Sequence, residues 1–154
     1  RGPFDHTNDF VLDKKNVEVK TKQESKSFVK ISSEHQLDIE FDKGLELLVV
    51  SVVNDISHGE SIFDLLIKTI GLIRESQGDL AILYHALNQK GLTIDSVKEY
   101  NNHRFIVKKT TTYDCTQDGF PKLSTSNIPE EIIKLKYQLR TTALSDFLIE
   151  EDIY

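Results

Sequence analysis

Residues 45–53 run Leu-Glu-Leu-Leu-Val-Val-Ser-Val-Val, a nearly unbroken apolar stretch rich in β-branched side chains. It falls well short of the roughly 20 residues that cross a bilayer, and β-branched residues favour a pleated backbone. A strand apolar on both faces has to be covered on both. The segment therefore predicts the central strand of a sheet, with other elements packed upon it and no membrane span.

Its neighbours supply the rest of a sheet. From Asn16, Val17 and Val19 alternate with Glu18 and Lys20, the pattern of a strand with one wet face. Phe28 to Ser32 is a weaker strand candidate, and Leu37-Asp38-Ile39-Glu40-Phe41 alternates most cleanly of all. Asp42-Lys43-Gly44 reads as a turn, with Gly44 suited to positive φ. Further strands are expected at residues 92–97 and 105–112, joined around Asn101-Asn102.

Helical signals follow the central run. Ser57-His58-Gly59-Glu60 has the form of a capping box. Beyond it Ile62, Phe63, Leu66, Ile70 and Ile73 recur at helical spacing, which predicts a mostly buried helix. Leu80, Leu83, Tyr84 and Leu87 restart the period after Gly78, and Gly91 stops it, so the two helices form a hairpin. Asn127-Ile128-Pro129-Glu130 predicts a last helix, with Ile132, Leu135 and Leu139 as its stripe. The expected organisation is a tail or loosely docked arm over residues 1–13 and a single α+β domain over 14–154. Its sheet has about five to six antiparallel or mixed strands, with the helical pair and the C-terminal helix on one face.

Composition narrows function by exclusion. With 38% hydrophobic and 29% charged residues in 154, the chain has enough apolar material to fold. A formal charge of −6 works against a phosphate backbone, so nucleic acid is not the expected partner and a protein is. A single cysteine, Cys115, precludes an internal disulfide and leans toward an intracellular setting. The start at Arg1-Gly2-Pro3 and the lack of methionine read as a processed or excised chain. Glycine-rich phosphate loops, G-x-S-x-G, H-E-x-x-H and calcium-loop spacings do not occur. No cofactor, metal ligand or catalytic residue is assigned.

Four fragments invite chemistry. His58-Gly59-Glu60 resembles the His-x-Glu of zinc deaminases, but the paired cysteines such enzymes need are missing, and Glu60 reads better as the capping acid. Glu18-Val19-Lys20 sets an acid and a lysine two apart on a strand, as metal-dependent nucleases do. No Pro-Asp precedes it, and the wet face of a strand explains the charges. Cys115, with His103 or His85 as base, is a conceivable nucleophile without a family signature. Arg104, Lys108 and Lys109 in the 100–109 segment suggest RNA, but read better as a solvated hairpin face.

The surface adds two contact candidates. Phe120-Pro121 sits in a polar loop, where a large apolar side chain either folds back or meets a partner. Ile153 and Tyr154 end an acidic C-terminal segment suited to a basic groove. The expected function is thus a non-catalytic interaction module, an adaptor subunit or a small acidic inhibitor of immunity-protein type. The alternatives are a small metal-assisted or cysteine-based hydrolase, acting through Glu18, Lys20 or Cys115, and a small-ligand carrier with a cavity beside the helix after Ser57.

Overall fold

The structure, a computed structural model, describes residues 6–154. It is α+β, as expected, with a five-stranded mixed sheet, a second two-stranded sheet and two α-helices. Two compact units are formed, one from the chain up to Val52 together with Val107–Tyr154, the other from Val53–Ile106.

In the first unit, β1 (Phe10–Val11) lies in the segment read as an arm and pairs antiparallel with β2 (Lys15–Gln23). β2 runs parallel to β4 (Gly44–Asn54), with Glu18 opposite Leu47, Lys20 opposite Val49 and Lys22 opposite Ser51. β5 (Phe105–Asp114) and the edge strand β7 (Leu148–Ile153) complete the order β1-β2-β4-β5-β7. β3 (Phe28–Ile31) and β6 (Tyr137–Arg140) form the small antiparallel sheet. β4 is the strand that its sequence predicts. Leu45, Leu47, Val49 and Ser51 are buried on one face, while on the other Glu46, Leu48 and Val50 are half-buried and Val52 is buried.

The core of this unit joins Leu45, Leu47 and Val49 to Val29, Ile31 and Leu139 of the small sheet, with Leu37, Tyr113, Cys115, Phe120 and Leu144 around them. Burying an aliphatic side chain contributes about 1.5–3 kcal/mol, so the β3–β6 pairing outweighs the local helical signal at 127–136. Asn127 serves a loop instead of a helix start: its Oδ1 accepts from the Ser124 N–H and its Nδ2 donates to the Lys122 carbonyl. Leu139 then enters the core from a strand. Residues 37–41 are not a strand either. Leu37 ends a 3-10 turn, Glu34–Leu37, and is fully buried, whereas Phe41 is 93% exposed. The positive φ of the following turn belongs to Asp42 and not to Gly44.

In the second unit, α1 (Ile62–Glu75) is capped four residues beyond the predicted cap Ser57. Ser61 is its N-cap: the Asp64 N–H donates to Ser61 Oγ, and the Ser61 N–H donates to the Asp64 carboxylate. Residues 57–60 are occupied otherwise, because the Asp55 carboxylate accepts from the Ser57 and His58 amides and folds the chain into a turn. α1 buries only Leu66 and Ile70, so it is less buried than its sequence suggests. α2 (Leu80–Gln89) ends before Gly91 at φ 70°, as predicted. Residues 92–97 give no strand; a 3-10 turn, Ser96–Tyr100, packs Val97 against α1.

Candidate active site

The pleat of β2 presents its residues in the sense opposite to their hydropathy. Val17 and Val19 are only half-buried, while Asn16 and Glu18 are 1% and 2% exposed on the face that meets Leu45, Leu47 and Val49. Glu18 is therefore not on a wet face, which corrects the reading of the strand. A buried carboxylate is costly unless it is paired and hydrogen-bonded.

Its pairing is local. Glu18 Oε1 lies 2.7 Å from Lys20 Nζ, whose side chain is 14% exposed. Asn8 Nδ2 approaches Glu18 Oε2 at 3.5 Å and donates to the Gln36 carbonyl at 3.0 Å, and Asn8 is itself 2% exposed. Gln36 Oε1 in turn accepts from the Ser32 N–H at 2.7 Å, which holds this wall in place. The Val19 amide, between the acid and the lysine, donates to Asp9 Oδ2 at 2.8 Å. The β1–β2 hairpin thus brings a second carboxylate to Glu18-Val19-Lys20.

Electrostatics follow from this crowding. Burial pushes the Glu18 carboxyl above its ordinary range; the Lys20 ammonium opposes that, and the Asp9 charge adds to it. Asn16, one step back on the same face, has a buried Oδ1 without a hydrogen-bond partner among the described residues. Buried acceptors are seldom left so.

The other candidates separate from this site. Cys115 is fully buried, and burial pushes its thiol up to about 12, so it is no nucleophile at neutral pH. His58 is exposed beside Asp55, and Glu60 pairs with Lys68, so no His-x-Glu unit forms. Arg104 is no free cation of a hairpin face: it donates to the Gly59 carbonyl and pairs with Asp64, each at 2.8 Å. Lys109 pairs with Glu151. Phe120 folds back to 6% exposure and meets Phe147 edge-on at 5.1 Å between ring centroids, with Pro121 exposed beside it. Ile153 and Tyr154 are 78% and 68% exposed at the end of the edge strand. Asp9 escaped the sequence reading, since its bond to Val19 crosses a hairpin that hydropathy alone does not register. The signal available was an acid nine residues before Glu18, with Asp13-Lys14-Lys15 between as a turn.

A family described as "Putative PD-(D/E)XK family member, (DUF4420)" matches residues 1–142. No curated protein and no solved structure matches the chain. A nuclease-like hydrolase superfamily conflicts with a non-catalytic adaptor or inhibitor, so the interaction-module reading is withdrawn, and with it the exclusion of nucleic acid as a partner. Among the described residues, no helix is long and apolar enough to cross a membrane.

Proposed function

The chain belongs to this PD-(D/E)XK family, and from that premise we propose that it is a metal-assisted phosphodiester hydrolase acting on nucleic acid. One observation carries the reading: a carboxylate 2% exposed is held against a lysine, and the amide between them is bound by a second carboxylate. Glu18-Val19-Lys20 fits the second half of the family's pattern. The first half is met differently, because Asn8 and not proline precedes Asp9. Asp9 is assigned by its position beside Val19 and not by the dipeptide.

The donors suit a hard divalent cation. Magnesium takes one or two carboxylates, keeps several waters and completes its shell with substrate phosphate. Asp9 and Glu18 are such a pair, and the described residues gather no group of three or more His, Cys, Asp or Glu into a closed cage. Asn16 Oδ1 is a spare acceptor for an ordered water on the same face. When bound, the ion polarises a phosphoryl oxygen and acidifies a water.

The chain's own residues do the remainder. Glu18, Asn8 and Gln36 fix the wall against which the phosphate is oriented. Lys20 keeps Glu18 ionised and offers its ammonium to the negative charge that grows on the phosphate in the transition state. Its protonated form also serves as a proton source for the leaving oxygen. The net charge of −6 places the burden of binding on local lysines of the sheet face.

The test is cleavage of labelled single-stranded and duplex DNA with magnesium or manganese. Wild-type protein is expected to cut in a metal-dependent manner, with Glu18→Gln and Lys20→Ala slower by at least about 100-fold. Cleavage that survives both substitutions, or its absence with every metal and substrate, would overturn the reading.

A further inference from the structure

The same sheet face continues from Lys20 into a cavity of about 410 Å³. Its floor is laid by strand register: Val49 stands opposite Lys20, and Ser51 opposite Lys22, on adjacent parallel strands. Thr111 and Tyr113 of β5 and Thr141 complete it, and all five floor residues are at most 8% exposed. Four of the five carry hydroxyls, so the floor is apolar in shape and dense in hydrogen-bonding groups. Ligand pockets combine concave burial with a few placed polar groups, in volumes of about 300–1,000 Å³.

The rim carries charge. Lys22 and Lys109 both line the cavity, and burial together with the Lys109 charge lowers the proton affinity of Lys22. Glu24 offsets this in part, while Glu151 is engaged by Lys109. With Lys109 paired to Glu151, Lys22 is the ammonium that the rim offers, and an ammonium beside a hydroxyl-lined hollow suits an anion joined to a polar ring. At about 3.3 Å per strand residue, Lys22 stands roughly 7 Å beyond Lys20 and 13 Å beyond Glu18 on the same face. That separation is a nucleotide or two along an extended strand and not a distant site.

We propose that this cavity is a subsite for one nucleotide of the strand being cleaved, with its phosphate met by Lys22 and its sugar and base received by the hydroxyl-lined floor. The inference rests on the hydrolase reading above and extends it to the form of the substrate. A base can settle into a hollow of the sheet face only when it is out of the stack, so single strands and frayed ends are preferred over continuous duplex.

The experiment uses the full chain carrying Glu18→Gln, free of metal, with fluorescein-labelled hexathymidylate as probe. Adding Lys22→Gln or Thr111→Val is expected to weaken binding at least five-fold, and Lys22→Gln to lower the slope of log K against log salt by about one. Lys108→Gln, on the opposite face of β5, serves as control and is expected to stay within two-fold. Thermal melts verify that each variant is folded. In the otherwise wild-type chain, Lys22→Gln is expected to raise KM with kcat held within two-fold. Equal effects of Lys22→Gln and Lys108→Gln, or duplex bound as tightly as hexathymidylate, would overturn the subsite. The two readings fail separately. Loss of binding in Lys22→Gln with no cleavage by wild-type protein sinks the hydrolase and keeps the pocket; cleavage indifferent to Lys22 does the reverse.

Discussion

The Val19 amide donates to the Asp9 carboxylate at 2.8 Å, and this bond adds a side-chain tie to the β1–β2 pairing beside the strand that carries Glu18 and Lys20. Asp9→Asn keeps an acceptor for that amide and removes the charge. The expected outcome is an unchanged fold, with a melting temperature within about 2 °C of wild type, and magnesium-dependent cleavage reduced at least about 100-fold. Asp9→Ala removes the acceptor too and is expected to cost a further 1 kcal/mol or so of stability. Denaturant melts and cleavage rates on both variants check this. Equal activity in Asp9→Asn and wild type would detach Asp9 from the site.

Glu18 gives a pH dependence whose sign is fixed. Burial raises its carboxyl above the ordinary 4.5, and Lys20 is the chief group pulling it back. The carboxylate form must hold the metal, so cleavage at constant magnesium is expected to fall on acidification at a pH above 4.5. Lys20→Ala removes the opposing charge and shifts that acid limb to higher pH. Rate–pH profiles of the two proteins test it, and a limb that moves downward or not at all would contradict the assignment.

The same shift has a consequence for stability. A folded-state value raised above the unfolded one means that the folded chain binds the extra proton, so Glu18 stabilises most below pH 4.5 and that contribution is lost as pH rises through its raised value. At neutral pH its charge is a cost of folding. Glu18→Gln is therefore expected to melt no lower than wild type at pH 7, with its relative advantage shrinking toward pH 4.5, while cleavage is abolished. A large loss of stability in this variant would mark Glu18 as a structural ion-pair partner and not a site maintained at a cost.

How much of this was legible can be judged residue by residue. The apolar run at 45–53 and the period ending at Gly91 declared β4 and α2, because burial and local stereochemistry agree there. Glu18-Val19-Lys20 was visible as a spacing but assigned to water, since alternation fixes which residues share a face and hydropathy was left to decide which face is inside. In β2 the polar face is the buried one. Leu37 to Phe41 failed for the opposite reason: Asp38 is spent on the Thr125 amide and hydroxyl, a contact 87 residues away that no local pattern encodes. The 127–140 segment failed because Val29 and Ile31 recruit Leu139 into a strand pair across more than a hundred residues.

Gly59 is required by its surroundings. A Cβ there would lie 2.4 Å from the Asp55 carbonyl oxygen and 2.6 Å from the Phe105 nitrogen, both backbone atoms that cannot swing aside. The same turn is held by the Gly59 N–H donating to that Asp55 carbonyl and by Arg104 donating to the Gly59 carbonyl. Gly59→Ala is expected to cost about 1–3 kcal/mol, as overpacking against fixed atoms does. Denaturant unfolding measures it. A loss under 1 kcal/mol would mean that the 55–60 turn yields more readily than its hydrogen bonds imply.

Cys115 provides a check on which chemistry the chain uses. Its side chain is fully buried among Leu45, Leu47, Tyr113 and Phe120, and burial outweighs the nearby Lys122 charge in setting the thiol near 12. At pH 7 the thiolate fraction is then of order 10⁻⁵, against a few per cent for a free cysteine. Iodoacetamide is expected to label the native protein orders of magnitude more slowly than the chain in guanidinium, and Cys115→Ala to cleave nucleic acid at the wild-type rate despite a stability loss of about 1–2 kcal/mol from the space it leaves. Rapid native labelling together with loss of cleavage in Cys115→Ala would move the chemistry from Glu18 and Lys20 to the thiol.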